Sequence, residues 1–91
     1  MAEVLITMKI MPSDTEIDIK NLEKLASKEI KEFGGKIEKI DIEPVAFGLQ
    51  ALKIIFSLDE RKGSTENLEN KISDIEGINS VEIVDVRRMI G

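Results

Sequence analysis

Cysteine, histidine, tryptophan and tyrosine are all missing from this chain of 91 residues. Without a thiol or an imidazole there is no disulfide, zinc-thiolate site, cysteine nucleophile or histidine acid–base pair to consider. Missing cysteine also fits a cytoplasmic home, which is the expected location. No apolar run approaches the roughly 18 residues of a membrane span. The start, Met1 to Lys9, lacks a basic region followed by a long apolar block and is not expected to be a signal peptide. Cations are in deficit, 13 against 18 acids, for a net charge of −5. That argues against nucleic acid and against anionic membranes as direct partners, since both reward a basic surface.

What is present suits a folded soluble chain. Apolar content of 42% and charge of 34% fit one domain over residues 1–91, with a modest core. Carboxylates, Lys, Arg, Ser and Thr remain as reagents, and none stands in an enzymatic motif. Asp41 with Glu43, or Asp59 with Glu60, would need a desolvated cleft to act as acid and base, and strand edges and loops do not supply one. No enzyme activity, cofactor, metal ligand or catalytic residue is expected.

Along the chain, residues 3–11 read as a buried strand with Val4, Ile6, Met8 and Ile10 on one face. Pro12-Ser13-Asp14-Thr15 is turn chemistry. Asp18 is a fitting N-cap, with Ile17 and Leu22 as a hydrophobic staple. Leu22, Leu25, Ala26, Ile30 and Phe33 then recur at helical spacing, and Gly34-Gly35 supply the stop. Residues 36–43 form a second strand whose phase slips once, which predicts a bulge near Glu38-Lys39. Its charges and Pro44 mark it as an edge.

Residues 49–58 give a third strand, with Leu52, Ile54, Phe56 and Leu58 on the core side. An exposed loop, Asp59 to Gly63, leads to a second helix capped by Ser64 or Thr65. Its stripe is Leu68, Ile72 and Ile75, and Gly77 is its expected end. Residues 78–86 make the last strand, with a phase break at Val84 and Val86 that hints at another bulge, and Arg87-Arg88-Met89-Ile90-Gly91 is the tail. The order βαββαβ, with right-handed crossovers, predicts an α+β ferredoxin-like plait: a four-stranded antiparallel sheet with two helices on one face. Strands one and three, the more apolar pair, are the central ones. The sheet's other face offers Leu5, Thr7, Lys9, Ala51, Lys53, Ile55 and Ser57.

Between the second and third strands stands Pro44-Val45-Ala46-Phe47-Gly48. Gly48 permits a turn that other residues resist. Phe47 is one of only three aromatics, and turns usually carry small polar residues. Two placements are open. Folded inward it caps the core, the reading the residues alone favour, since an isolated apolar residue needs no functional explanation; projected outward it fills a partner's pocket.

The stretch Glu43-Pro44-Val45-Ala46-Phe47-Gly48-Leu49-Gln50-Ala51-Leu52-Lys53 resembles the archaeal elongation factor 1-beta family, the guanine-nucleotide-exchange domains of translation elongation factor 1. Lys9-Ile10-Met11-Pro12, Ile75-Glu76-Gly77 and Val84-Asp85-Val86-Arg87-Arg88 carry the resemblance over essentially the whole chain. It implies a translation factor, monomeric when free, that promotes GDP–GTP exchange on the GTPase elongation factor 1-alpha by disturbing its Mg²⁺ and phosphate contacts. It implies that Phe47, flanked by Pro44, Ala46 and Gly48, docks in a pocket on that GTPase. The family's eukaryotic relatives place a lysine just before the chain end. This chain ends Met89-Ile90-Gly91, so three readings stay open: Arg87 or Arg88 supplies the cation from upstream, the segment is a solvated tail, or backbone wedging of the switch regions suffices. The alternative from another class is a ferredoxin-like regulatory module that binds a small ligand at a homodimer interface.

Overall fold

Val4, Ile6, Met8 and Ile10 alternate with Leu5, Thr7 and Lys9, and this period of two builds β1 (Glu3–Pro12), a central strand. In the computed structural model, which describes residues 2–89, it is followed by α1 (Ile19–Phe33), β2 (Lys36–Pro44), β3 (Gln50–Asp59), α2 (Glu66–Ser73) and β4 (Ile78–Met89). The sheet order is β2-β3-β1-β4 and every pair is antiparallel. Both helices lie on one face, so the fold is the ferredoxin-like plait that the sequence predicts.

The core is a single layer between sheet and helices. Met8, Ile10, Leu52, Ile54 and Phe56 from the sheet meet Leu22, Ala26, Ile30, Leu68 and Ile72 from the helices, all fully buried. Each large side chain so placed stabilises the fold by about 1.5–3 kcal/mol relative to exposure. Asp18 caps α1 by accepting from the Lys20 N–H at 3.0 Å. Gly34 closes the helix with a left-handed φ of 108°. Leu25, expected in the apolar stripe, is 38% exposed at its margin.

Both bulges are present. Glu38 is the extra residue in β2, between the pairs Ile37–Phe56 and Lys39–Ile55, and its carboxylate accepts from the Ser57 hydroxyl at 2.9 Å. That contact helps bury Ser57 on the face away from the helices. Val84 is the extra residue in β4, between Asp85 opposite Thr7 and Ile83 opposite Met8.

Two expectations need correction. The second helix ends at Ser73 with Asp74 as its cap, so Ile75 and Gly77 belong to the following turn. There the Gly77 carbonyl accepts from the Ser13 N–H at 2.8 Å. Arg87, Arg88 and Met89 are not tail but strand, since β4 runs on to pair Arg88 with Val4 and Met89 with Glu3. Ile90 and Gly91, two of the three residues of the lysine-free end, lie outside the described residues, as does Met1. Among the described residues no helix is long and apolar enough to cross a membrane.

Candidate functional site

The link between β2 and β3 is a tight hairpin turn. Pro44 pairs with Gln50, the Val45 N–H donates to the Leu49 carbonyl at 2.9 Å, and the Leu49 N–H donates to the Ala46 carbonyl at 3.3 Å. Three residues, Ala46, Phe47 and Gly48, must reverse the chain. They do so with two consecutive left-handed residues, Phe47 at φ 62° and Gly48 at φ 76°. Glycine adopts that geometry freely, whereas for a bulky L-residue it costs on the order of 1 kcal/mol. Phe47 is the only non-glycine at positive φ among the described residues.

The strained backbone turns the side chain outward. Phe47 is 94% exposed, so the inward placement as a core cap is overturned. The reason is geometric: a three-residue reversal leaves its tip clear of the sheet, and Phe56 already fills the core. The other two phenylalanines are covered. Phe56 is fully buried, and Phe33 packs at the core's edge beneath Lys62, whose ammonium lies 5.7 Å from the ring centre.

Two more loops share the Phe47 end. The β1–α1 loop lies beside the turn, where a Cβ added to Gly48 would stand 3.6 Å from Thr15 Cγ2. That loop is held by Asp14, which accepts from the Glu16 N–H at 2.7 Å, and by the Ser13 bond to Gly77 in the α2–β4 loop. The hollow between Gly48, Gln50, Thr15 and Pro12 is only about 30 Å³, near the size of one water. Below the turn, Glu43 and Lys53 form a 2.8 Å ion pair on the open sheet face. Their hydrogen bond lowers the Glu43 pKa and raises that of Lys53.

The sequence-predicted site residues therefore form two groups. Pro44, Ala46, Phe47 and Gly48 stand together at the turn. Arg87 and Arg88 sit at the opposite end, opposite Leu5 and Val4. The stretch of β1 from Val4 to Ile10 separates them by about 20 Å or more. Alternation also sends the two arginines to opposite faces of the sheet. Arg87 pairs with Asp85 at 2.9 Å beside Leu5, while Arg88 crosses to Glu60 at 3.0 Å. Sequence reading missed Thr15 and the acids of the neighbouring loops as companions of Phe47. The available signal was that residues 12–18, 44–50 and 73–80 contain no Lys or Arg. Among the described residues no cluster of three or more carboxylates converges to hold a metal.

The chain is similar to known proteins over nearly its whole length. Residues 5–89 match the family model of the EF-1 guanine nucleotide exchange domain. The chain is 40% identical over 90 residues to elongation factor 1-beta of Methanothermobacter thermautotrophicus, covering 99% of this chain and 100% of that protein. It is 43% identical over 90 residues to elongation factor 1-beta of Staphylothermus marinus, covering 98% and 99%. Among solved structures, the ACT domain from GTP pyrophosphokinase of Chlorobium tepidum superposes with a TM-score of 0.63 at 16% identity, covering 90% of this chain and 99% of that one; this likeness is one of fold alone.

Proposed function

The chain belongs to the EF-1 guanine nucleotide exchange domain family, a family of translation elongation factors, and we propose that it acts by docking Phe47 on elongation factor 1-alpha and loosening the GTPase's hold on GDP. The observation that carries the reading is Phe47, 94% exposed on a strained backbone. Strain of this kind persists only where the surrounding structure enforces it, and it concentrates at sites of function. A rigidly presented aromatic entering a pocket is what an interface hot spot requires.

Exchange of this kind breaks no bond. A protein that binds the nucleotide-free GTPase better than the loaded one must weaken nucleotide binding by the same factor. The separation of the two residue groups supports a division of labour. Phe47 anchors one end, and the Arg87–Arg88 end reaches the region where Mg²⁺ and phosphate hold GDP. Because the arginines face opposite sides of the sheet, only one of them meets a given partner surface.

The test loads elongation factor 1-alpha with fluorescent GDP and follows its release against excess unlabelled nucleotide. Added protein should speed release in proportion to its concentration at low occupancy, and either Arg87→Ala or Arg88→Ala, not both, should slow it. No acceleration with a matched, folded GTPase would overturn the reading.

A further inference from the structure

The chain's net charge is not spread over its surface. The β1–α1 and α2–β4 loops hold Asp14, Glu16, Asp18, Asp74 and Glu76, and these two loops and the Phe47 turn hold no Lys or Arg. Those five acids equal the whole net charge of −5, so the remaining 13 acids balance the 13 cations. All five are exposed and none enters an ion pair among the described residues. They do not converge on a cation cage either. Instead they stand on the β1–α1 loop, which meets the Phe47 turn through Thr15, and on the α2–β4 loop, which is bonded to the β1–α1 loop. Elsewhere the exposed charges are intermixed. Loops of one sign to one side of a bare aromatic are arranged to meet something.

We infer that the surface receiving Phe47 is an apolar pocket rimmed by basic side chains on the GTPase, and that the carboxylate pole steers this protein onto it. The inference rests on the docking reading above and adds the electrostatic character of the partner. Phe47 is the independent mark of a partner, and the uncompensated charge gives that partner's sign. Complementary potentials raise association rates far more than they slow dissociation, and salt screens them over a Debye length of about 10 Å at 0.1 M. The same field repels nucleic acid and anionic lipid.

The test measures kcat/KM for GDP release at low and at high potassium chloride. It compares wild type, Phe47→Ala and a triple variant Glu16→Gln/Asp74→Asn/Glu76→Gln. None of these three carboxylates accepts a side-chain hydrogen bond from the backbone. A second variant adds Asp14→Asn and Asp18→Asn, which keep the oxygens that hold the loop and cap α1. Wild type should lose at least about tenfold in kcat/KM as salt rises, through association rather than dissociation. The triple variant should begin severalfold lower and respond weakly to salt, and the five-site variant should respond hardly at all. A neutralised variant that keeps the wild-type rate and salt response, while Phe47→Ala still fails, would overturn the basic-rim inference alone. A Phe47→Ala variant as active as wild type would instead overturn the docking reading.

Discussion

The two ends of the sheet use charge in opposite ways. At the Arg88 end, Arg61 lies 2.9 Å from Asp59, Arg88 reaches Glu60 at 3.0 Å, Arg87 reaches Asp85 at 2.9 Å, and Lys62 covers the Phe33 ring. These cations find their partners within the chain. At the Phe47 end, five carboxylates have no cation partner among the described residues and a phenyl ring has no cover. One end holds its arginines in pairs within the chain, and the other leaves its carboxylates uncompensated. The difference also separates placements that residue type alone does not, since Phe56 and Phe47 are the same side chain, one sealed in the core and one 94% exposed.

The comparison is tested hardest at its extreme. Phe47→Ala should lower kcat/KM for nucleotide release by about 30-fold or more, the loss of roughly 2 kcal/mol of anchor energy. It should leave the melting temperature unchanged or slightly raised, because no packing is lost and alanine carries a smaller side chain through the same turn. A loss of activity explained by unfolding would break the contrast between the two phenylalanines.

Gly48→Ala should act through the backbone. The added Cβ has room, with Thr15 at ordinary contact distance, yet φ 76° strains it. The expected loss is about 1 kcal/mol, read as a drop of roughly 4–8 °C in melting temperature. No loss would mean that the turn relaxes and that Phe47 is not rigidly presented.

Arg88→Ala should be mild for stability. Its pair with Glu60 is exposed, and such pairs contribute about 0–1 kcal/mol. A urea midpoint shifted by more than that would show the arginine end to be structural rather than merely self-satisfied.

The smallest effect is at Asp59. Hydrogen bonds from Arg61 hold its carboxyl at about 2, below the ordinary 3.8. A pKa lowered on folding gives stability that is present above 3.8 and lost as pH falls toward 2. Arg61→Ala should move the Asp59 titration midpoint, read by carbon-13 NMR, back toward 3.8. An unmoved midpoint would mean that Arg61 is not its cause.

How far the sequence reaches follows the same division. β1 and β3 were legible because half-buried strands write period two into their side chains, and the β2 bulge because Ile37 and Ile40 slip that period once. The last turn of β4 was not legible. An edge strand exposed on both faces carries no alternation, so Arg87-Arg88-Met89 reads as tail. The end of α2 misled for the opposite reason, since Ile75 keeps helical spacing from Ile72 inside a turn. At the site, the turn at Gly48 was readable from residue type. The outward aim of Phe47 was not, because it depends on a left-handed φ that no propensity assigns to phenylalanine. The resemblance to a family, not the pattern, pointed outward.

The most direct test replaces the three phenylalanines with 4-fluorophenylalanine and follows the fluorine spectrum as elongation factor 1-alpha is added. Phe47 is identified by the signal that Phe47→Leu removes. This resonance alone should shift and broaden, while those of Phe33 and Phe56 hold their positions. A complex that forms with the Phe47 resonance unmoved would contradict it.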